Sequence, residues 1–126
     1  MTGLIWVVQL VHYPTFNFVE KNNFQQFSAF HQSRITWIVA PIMTLEALTA
    51  ATFLWFDASQ LFYWINFFGV LAIWLVTLAL SMPQHAKLSK GFTPVAIRKL
   101  IVTNWLRTAI WSVRSISLIL YLGVQL

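Results

Sequence analysis

The sequence predicts an all-α protein, an antiparallel up-and-down bundle of four transmembrane helices. Of its 126 residues, 59% are hydrophobic and only 9% are charged, whereas soluble domains contain about 45–50% apolar residues. The mean hydropathy is +0.71, and several apolar runs reach about 20 residues, the length that crosses a bilayer. We therefore expect residues 1–126 to form a single transmembrane domain whose first partner is the lipid bilayer.

Composition also excludes several classes of function. The chain has no cysteine, which excludes disulfides, iron–sulfur ligation and thiol catalysis. Its net charge of +5 falls mostly in two short segments beside apolar runs, so the charge indicates membrane orientation and not nucleic-acid binding. No Lys or Arg precedes the first apolar run, so we expect no removable signal peptide.

The first predicted span covers about residues 2–19. Pro14 lies within it and removes a backbone donor, so we expect the helix to kink or end there. A polar turn follows at Glu20–Asn23. In residues 24–31, Phe and His side chains recur at spacings of three and four, which favours a short interfacial helix before the second span.

The remaining spans are predicted at 35–56, 61–82 and 94–122. The polar break Asp57–Gln60 is long enough only for a tight connection between antiparallel helices. Residues 83–94 contain Pro, Gly and charged residues, which favours a loop. Within it, Thr93 is placed to cap the fourth helix and Pro94 to be its first residue.

The distribution of basic residues predicts the orientation. Lys and Arg flank the first and third connections, whereas the second carries only Asp57. Cytoplasmic loops are enriched in Lys and Arg. We therefore expect a multi-pass protein of the cell membrane with both basic loops in the cytoplasm and both termini outside.

Two opposite charges are predicted at one depth. Glu46 and Arg107 both lie about 16 Å from the cytoplasmic edge at 1.5 Å of rise per residue, which predicts an ion pair inside the bundle. A purely structural pair or a protonated Glu46 is the alternative. Asn104, Arg107, Trp111 and Arg114 follow one another at spacings of three, four and three, so they form one stripe. Arg114 is expected to extend to the outer interface.

The three histidines, His12, His31 and His85, are all predicted in the cytoplasmic half. Neutral imidazoles suit a transition metal, and an axial imidazole suits haem iron, so these residues are candidate ligands of a haem or a metal. The alternative is that they hydrogen-bond backbone or lipid phosphate. His12 lies within an apolar run and would need a partner, for which Asn104 is the candidate. It is also the first candidate for an acid–base group.

Two segments resemble known families. The first is Met82-Pro83-Gln84-His85, Leu88 and Asn104-Trp105-Leu106-Arg107-Thr108. It resembles the end of the anthrone-oxygenase-like family of small four-helix membrane proteins, although that family usually has Asn after the Pro. Phe30 to Glu46, with Arg34-Ile35, Ile38 and Pro41-Ile42-Met43, resembles the second helix of membrane protoporphyrinogen oxidases, which bind haem. Both resemblances imply oxidation of a flat, lipid-soluble aromatic substrate, with His12, Glu46, Asn104 and Arg107 lining the site.

Three classes of function follow from the sequence. The first is a membrane oxidoreductase or cofactor-binding protein. The second is an accessory subunit of a larger membrane complex or a homo-oligomer, in which the polar stripes pair with neighbouring subunits. The third is a proton-coupled transporter formed by a dimer, which the absence of paired, broken spans disfavours.

Overall fold

The computed structural model describes residues 1–125, which fold into four helices and contain no β-strand. The helices are α1 (2–18), α2 (Phe24–Phe56), α3 (Leu61–Leu88) and α4 (Pro94–Gln125). α1 consists of Thr2–Val7, a π-helical turn Val8–His12, Tyr13–Thr15 and a 3₁₀ turn Phe16–Phe18. α3 consists of Leu61–Val76, a π-helical turn Thr77–Ser81 and Met82–Leu88. The predicted all-α class is confirmed.

Two of the helices, α2 and α3, are long and apolar enough to cross a membrane. Large apolar side chains cover the outside of the bundle. Trp37 on α2 is 78% exposed, Leu75 on α3 is 66% exposed and Ile119 on α4 is 69% exposed. Soluble monomers rarely expose large contiguous apolar patches, so this outer surface is suited to contact with lipid.

The helix α4 is central to the packing, because both α1 and α3 lie against it, while α2 packs along α3. Trp111 on α4 and Ile5 on α1 are among the buried side chains of the core. At one end of the bundle, Phe16 on α1 packs edge-on against Phe27 on α2. Beyond this contact, α1 and α2 face each other across a cavity.

Two boundaries differ from the sequence predictions. The segment 24–31 is the first part of α2 and not a separate interfacial helix. The predicted loop 83–94 is also wrong in its first half, because α3 continues through Pro83 to Leu88. Pro83 lies in the first turn of Met82–Leu88, where a missing backbone N–H costs little.

A π-helical turn precedes a proline in both α1 and α3. Val8–His12 is followed by Pro14, and Thr77–Ser81 is followed by Pro83. A π turn shifts the hydrogen bond from residue i+4 to i+5, which widens the helix just before the proline ring would crowd the preceding turn. Pro14 therefore does not end α1, which continues in helical form to Phe18.

The connections agree with the sequence in two places. Asp57–Gln60 joins α2 to α3 as predicted. The Ser59 hydroxyl and backbone N–H both donate to Asp57 Oδ1, which lowers the pKa of that carboxyl. Pro94 is the first residue of α4 as predicted. The connection before it contains Gly91 at φ 138°, a conformation that only glycine adopts without strain.

Candidate functional site

A cavity of about 620 Å³ lies between α1, α2 and α3 and extends along the helices; we call it the main cavity. Its walls are mainly apolar and include Leu4, Val8, Ile35, Val39, Met43 and Leu78. Its polar lining includes Tyr13, Gln32, Thr77, Ser81, His85 and Arg107. Small-molecule sites are typically clefts of about 300–1,000 Å³ with apolar walls and a few convergent polar groups, and the main cavity has these properties.

The three histidines meet beside the main cavity. His12 Nε2 lies 2.6 Å from His31 Nδ1, and the rings of His31 and His85 have centroids 5.6 Å apart. The Tyr13 hydroxyl lies 3.3 Å from His85 Nε2. Phe16 packs edge-on against both His12 and His31, which fixes the two rings. The structure thus brings together three residues that the sequence placed only in the same half of the membrane.

The ring nitrogens of this histidine cluster are only partly engaged. His31 Nε2 and His85 Nδ1 are buried and have no hydrogen-bond partner among residues 1–125. In that same range, no group of three His, Cys, Asp or Glu side chains is arranged to hold a metal ion. Catalytic zinc sites commonly use three protein ligands, and the three imidazoles are not arranged as such a set. The haem or metal site stays a prediction.

Arg107 is buried at the wall of the main cavity, with only 4% of its surface exposed. Its Nη1 donates to Asn104 Oδ1 at 3.3 Å and reaches Ser81 Oγ at 3.5 Å. The guanidinium carbon lies 5.2 Å from the centroid of the Trp111 ring, a cation–π distance. All of these partners are neutral, so they solvate the guanidinium without cancelling its charge.

Asn104 joins α4 to α1, but not through His12 as the sequence suggested. Its Nδ2 donates to Gln9 Oε1 at 2.8 Å, and Gln9 Nε2 donates to the Ile101 carbonyl at 3.2 Å. Gln9 and His12 are three residues apart and would share one face of a regular α-helix. The π-helical turn Val8–His12 separates their directions, so Gln9 faces α4 while His12 faces α2.

The predicted ion pair between Glu46 and Arg107 is wrong. Glu46 instead pairs with Arg114, whose Nη1 lies 3.0 Å from Glu46 Oε2, and the amino group of Met1 lies 3.8 Å from Oε1. The Trp111 indole N–H donates to the same oxygen at 2.8 Å. Trp111 therefore separates the two predicted partners, since its ring faces Arg107 while its N–H bonds to Glu46.

The expectation that Arg114 extends to the outer interface is also wrong, because Arg114 pairs with Glu46 inside the bundle. The side chain points inward and is 15% exposed. Its Nε and Nη2 both donate to Asn66 Oδ1, at 3.2 and 3.1 Å. Glu46, Asn66 and Arg114 also line a second cavity of about 260 Å³. Sequence analysis missed Asn66, although a lone amide within the apolar third span was a signal for it.

The predicted site residues therefore do not form one site. His85 and Arg107 line the main cavity, whereas Glu46 lines the second cavity. The other three do not line either cavity but contact residues that do. His12 contacts His31, which lies beside His85, and Asn104 accepts a hydrogen bond from Arg107. Tyr13 lines the main cavity beside His85, and sequence analysis had noted it only as a neighbour of His12.

Gly69 gives the first test of the Arg114 arrangement. A Cβ at this position would lie 2.8 Å from Arg114 Cδ, so we expect Gly69→Val to displace a side chain that Glu46 and Asn66 hold. Overpacking of this kind lowers the free energy of unfolding by about 1–3 kcal/mol. The decrease is measured from thermal unfolding in detergent, followed by circular dichroism. Gly123→Val is the matched control, because a Cβ at Gly123 meets nothing within 4 Å. Equal destabilisation by both substitutions would contradict the close packing of Gly69 against Arg114.

A double-mutant cycle tests the ion pair. We expect Glu46→Gln and Arg114→Gln to be coupled by about 1–3 kcal/mol in unfolding free energy, because removing either partner leaves the other charge partly buried. The same cycle with Glu46→Gln and Arg107→Gln is expected to give a smaller coupling, since Trp111 lies between those two groups. The reverse order of the two couplings would restore the pairing predicted from the sequence.

The chain was compared with known proteins at three levels. No protein-family model, no curated protein and no solved structure matches it. The resemblances given under Sequence analysis therefore stay predictions.

Proposed function

We propose that this chain is a four-span membrane protein that binds a lipid-soluble small molecule in the main cavity. One observation carries the proposal: a space of about 620 Å³ with apolar walls, into which Tyr13, His85 and Arg107 converge. The apolar outer surface supports the membrane setting. The basic first and third connections support an orientation with those loops in the cytoplasm and the termini outside.

The route into the cavity supports a ligand that arrives from the membrane. Leu78 and Met82 line the main cavity and are 50% and 54% exposed. This exposure supports an opening of the cavity on the apolar surface that would face lipid. A molecule dissolved in the bilayer enters by this side without crossing the aqueous phase.

The lining also supports proton transfer to or from the bound molecule. The Tyr13 hydroxyl and His85 Nε2 form a hydrogen-bonded pair at the cavity wall, and His31 lies next to His85. Imidazole is the side chain best suited to exchange protons near neutral pH. This pair supports a flat, lipid-soluble aromatic substrate, the class that both resemblances imply. Oxidation of such a substrate also requires an electron acceptor, which a visible spectrum and metal analysis of the purified protein would identify.

Blocking the main cavity tests the proposal. Val39 lines it, so we expect Val39→Trp to fill part of the space and to abolish binding of a flat aromatic probe such as menadione. In nanodiscs, a saturating probe should raise the Tm of the wild-type protein. At a probe concentration of 100 times Kd, binding adds about 2.7 kcal/mol to the free energy of unfolding. Val102→Trp is the control, since Val102 is 59% exposed on α4.

The two variants separate the outcomes of this experiment. A shift in Tm that is lost in Val39→Trp and kept in Val102→Trp supports the proposed site. A shift of the same size in both variants would place the probe elsewhere. No shift in any of the proteins would favour the accessory-subunit hypothesis.

The absence of native cysteine allows the orientation to be tested by labelling. Asn22 lies in the first connection and Ala58 in the second, and both side chains are exposed. We expect a membrane-impermeant maleimide to label Ala58→Cys in intact cells, and Asn22→Cys only after permeabilisation. Labelling of Asn22→Cys in intact cells would reverse the orientation, and equal labelling of both positions would contradict an odd number of spans between them.

A further inference from the structure

The buried guanidinium of Arg107 has no carboxylate partner among residues 1–125. The chain has only three acidic side chains. Glu46 is paired with Arg114, while Glu20 and Asp57 lie in connections outside the helices. Arginine stays protonated in proteins, so Arg107 cannot remove its charge by losing a proton. Its positive charge is therefore uncompensated at the wall of the main cavity.

The neutral contacts of Arg107 leave donor capacity unused. The hydrogen bonds from Nη1 to Asn104 and Ser81 are long, at 3.3 and 3.5 Å. Its Nε is buried and has no partner in the described residues. A buried charge that is solvated only by neutral groups is costly unless an opposite charge accompanies it. The main cavity, which Arg107 lines, is the space in which such a charge can be placed.

We propose that the ligand of the main cavity is an acidic amphiphile, whose anionic oxygen group pairs with Arg107. The inference rests on the proposed function and specifies its ligand class. Tyr13 and His85 line the same part of the cavity and supply further polar contacts to that group. The apolar part of the ligand lies along the wall that includes Leu4 and Met43. Arginine is well suited to this role, because its planar fork matches carboxylate and phosphate oxygens.

The test compares two ligands that have the same hydrocarbon chain and differ in the head group, one charged and one neutral. Wild-type protein in phosphatidylcholine nanodiscs is titrated with 9,10-dibromostearate, whose bromines quench tryptophans at close range; Trp74 lines the cavity. Oleate and oleyl alcohol are then compared as competitors for the saturable part of the quenching. We expect oleate to compete at a concentration about tenfold lower or more, because hydrogen bonds between charged groups contribute that much.

Variants assign the preference to Arg107. Arg107→Gln should make oleate and oleyl alcohol equally effective, and Arg107→Lys should retain part of the preference. Unchanged competition by oleyl alcohol in Arg107→Gln would show that this variant is folded. Lys90→Gln is the matched control, because Lys90 also lines the cavity but is exposed, and it should keep the preference within about twofold, as expected for a solvent-screened charge.

The possible results are separable. If the two competitors act equally on the wild type, or if the preference persists in Arg107→Gln, the acidic ligand is refuted while the cavity proposal stands. If dibromostearate gives no saturable quenching and menadione no shift in Tm, the proposed function fails as well. Displacement by added phosphatidylglycerol, lost in Arg107→Gln, would identify a membrane phospholipid as the source of the anionic group. Displacement by oleate alone would identify a free carboxylate.

Discussion

The structure depends on one constraint: the outside of the bundle is apolar, so the polar side chains on the helices must find partners inside it. This requirement produces a continuous series of contacts between all four helices. The series runs through Gln9, Asn104, Arg107, Trp111, Glu46, Arg114 and Asn66. Four of its members lie on α4, which explains why α4 is central to the packing. One member of the series, Arg107, lines the main cavity, and Trp111, Glu46, Arg114 and Asn66 line the second.

The helices were predictable from length and composition, and the partners of their polar residues were not. The break Asp57–Gln60 and the start of α4 at Pro94 were correct, because turn residues and a proline mark them directly in the sequence. Counting residues gave the depth of Glu46, but depth alone does not fix which neighbour lies beside it. Arg107 and Arg114 belong to one stripe, two helical turns apart, and only packing decides which of them the carboxylate meets.

The candidate site was also predictable only in part. The sequence placed the three histidines in one half of the membrane, and the structure brings them together. That Asn104 bonds to Gln9 and not to His12 was not predictable, since it depends on the π-helical turn Val8–His12. The sequence marks that turn only indirectly, by Pro14 two residues beyond its end. The main cavity lies between α1 and α2. The spacing of apolar residues along the sequence does not indicate how far apart two helices pack.

Of the two guanidinium groups that α4 points into the bundle, those of Arg107 and Arg114, the one that contacts the carboxylate of Glu46 is Arg114, and this imbalance bears on permeation. With Glu46 engaged by Arg114, the excess positive charge of Arg107 remains in the middle of the proposed membrane span. Fixed positive charge in a low-dielectric pore is an electrostatic barrier to protons and metal cations. Hydronium or sodium moving along the bundle axis would meet that barrier, whereas a negatively charged solute would be drawn towards it.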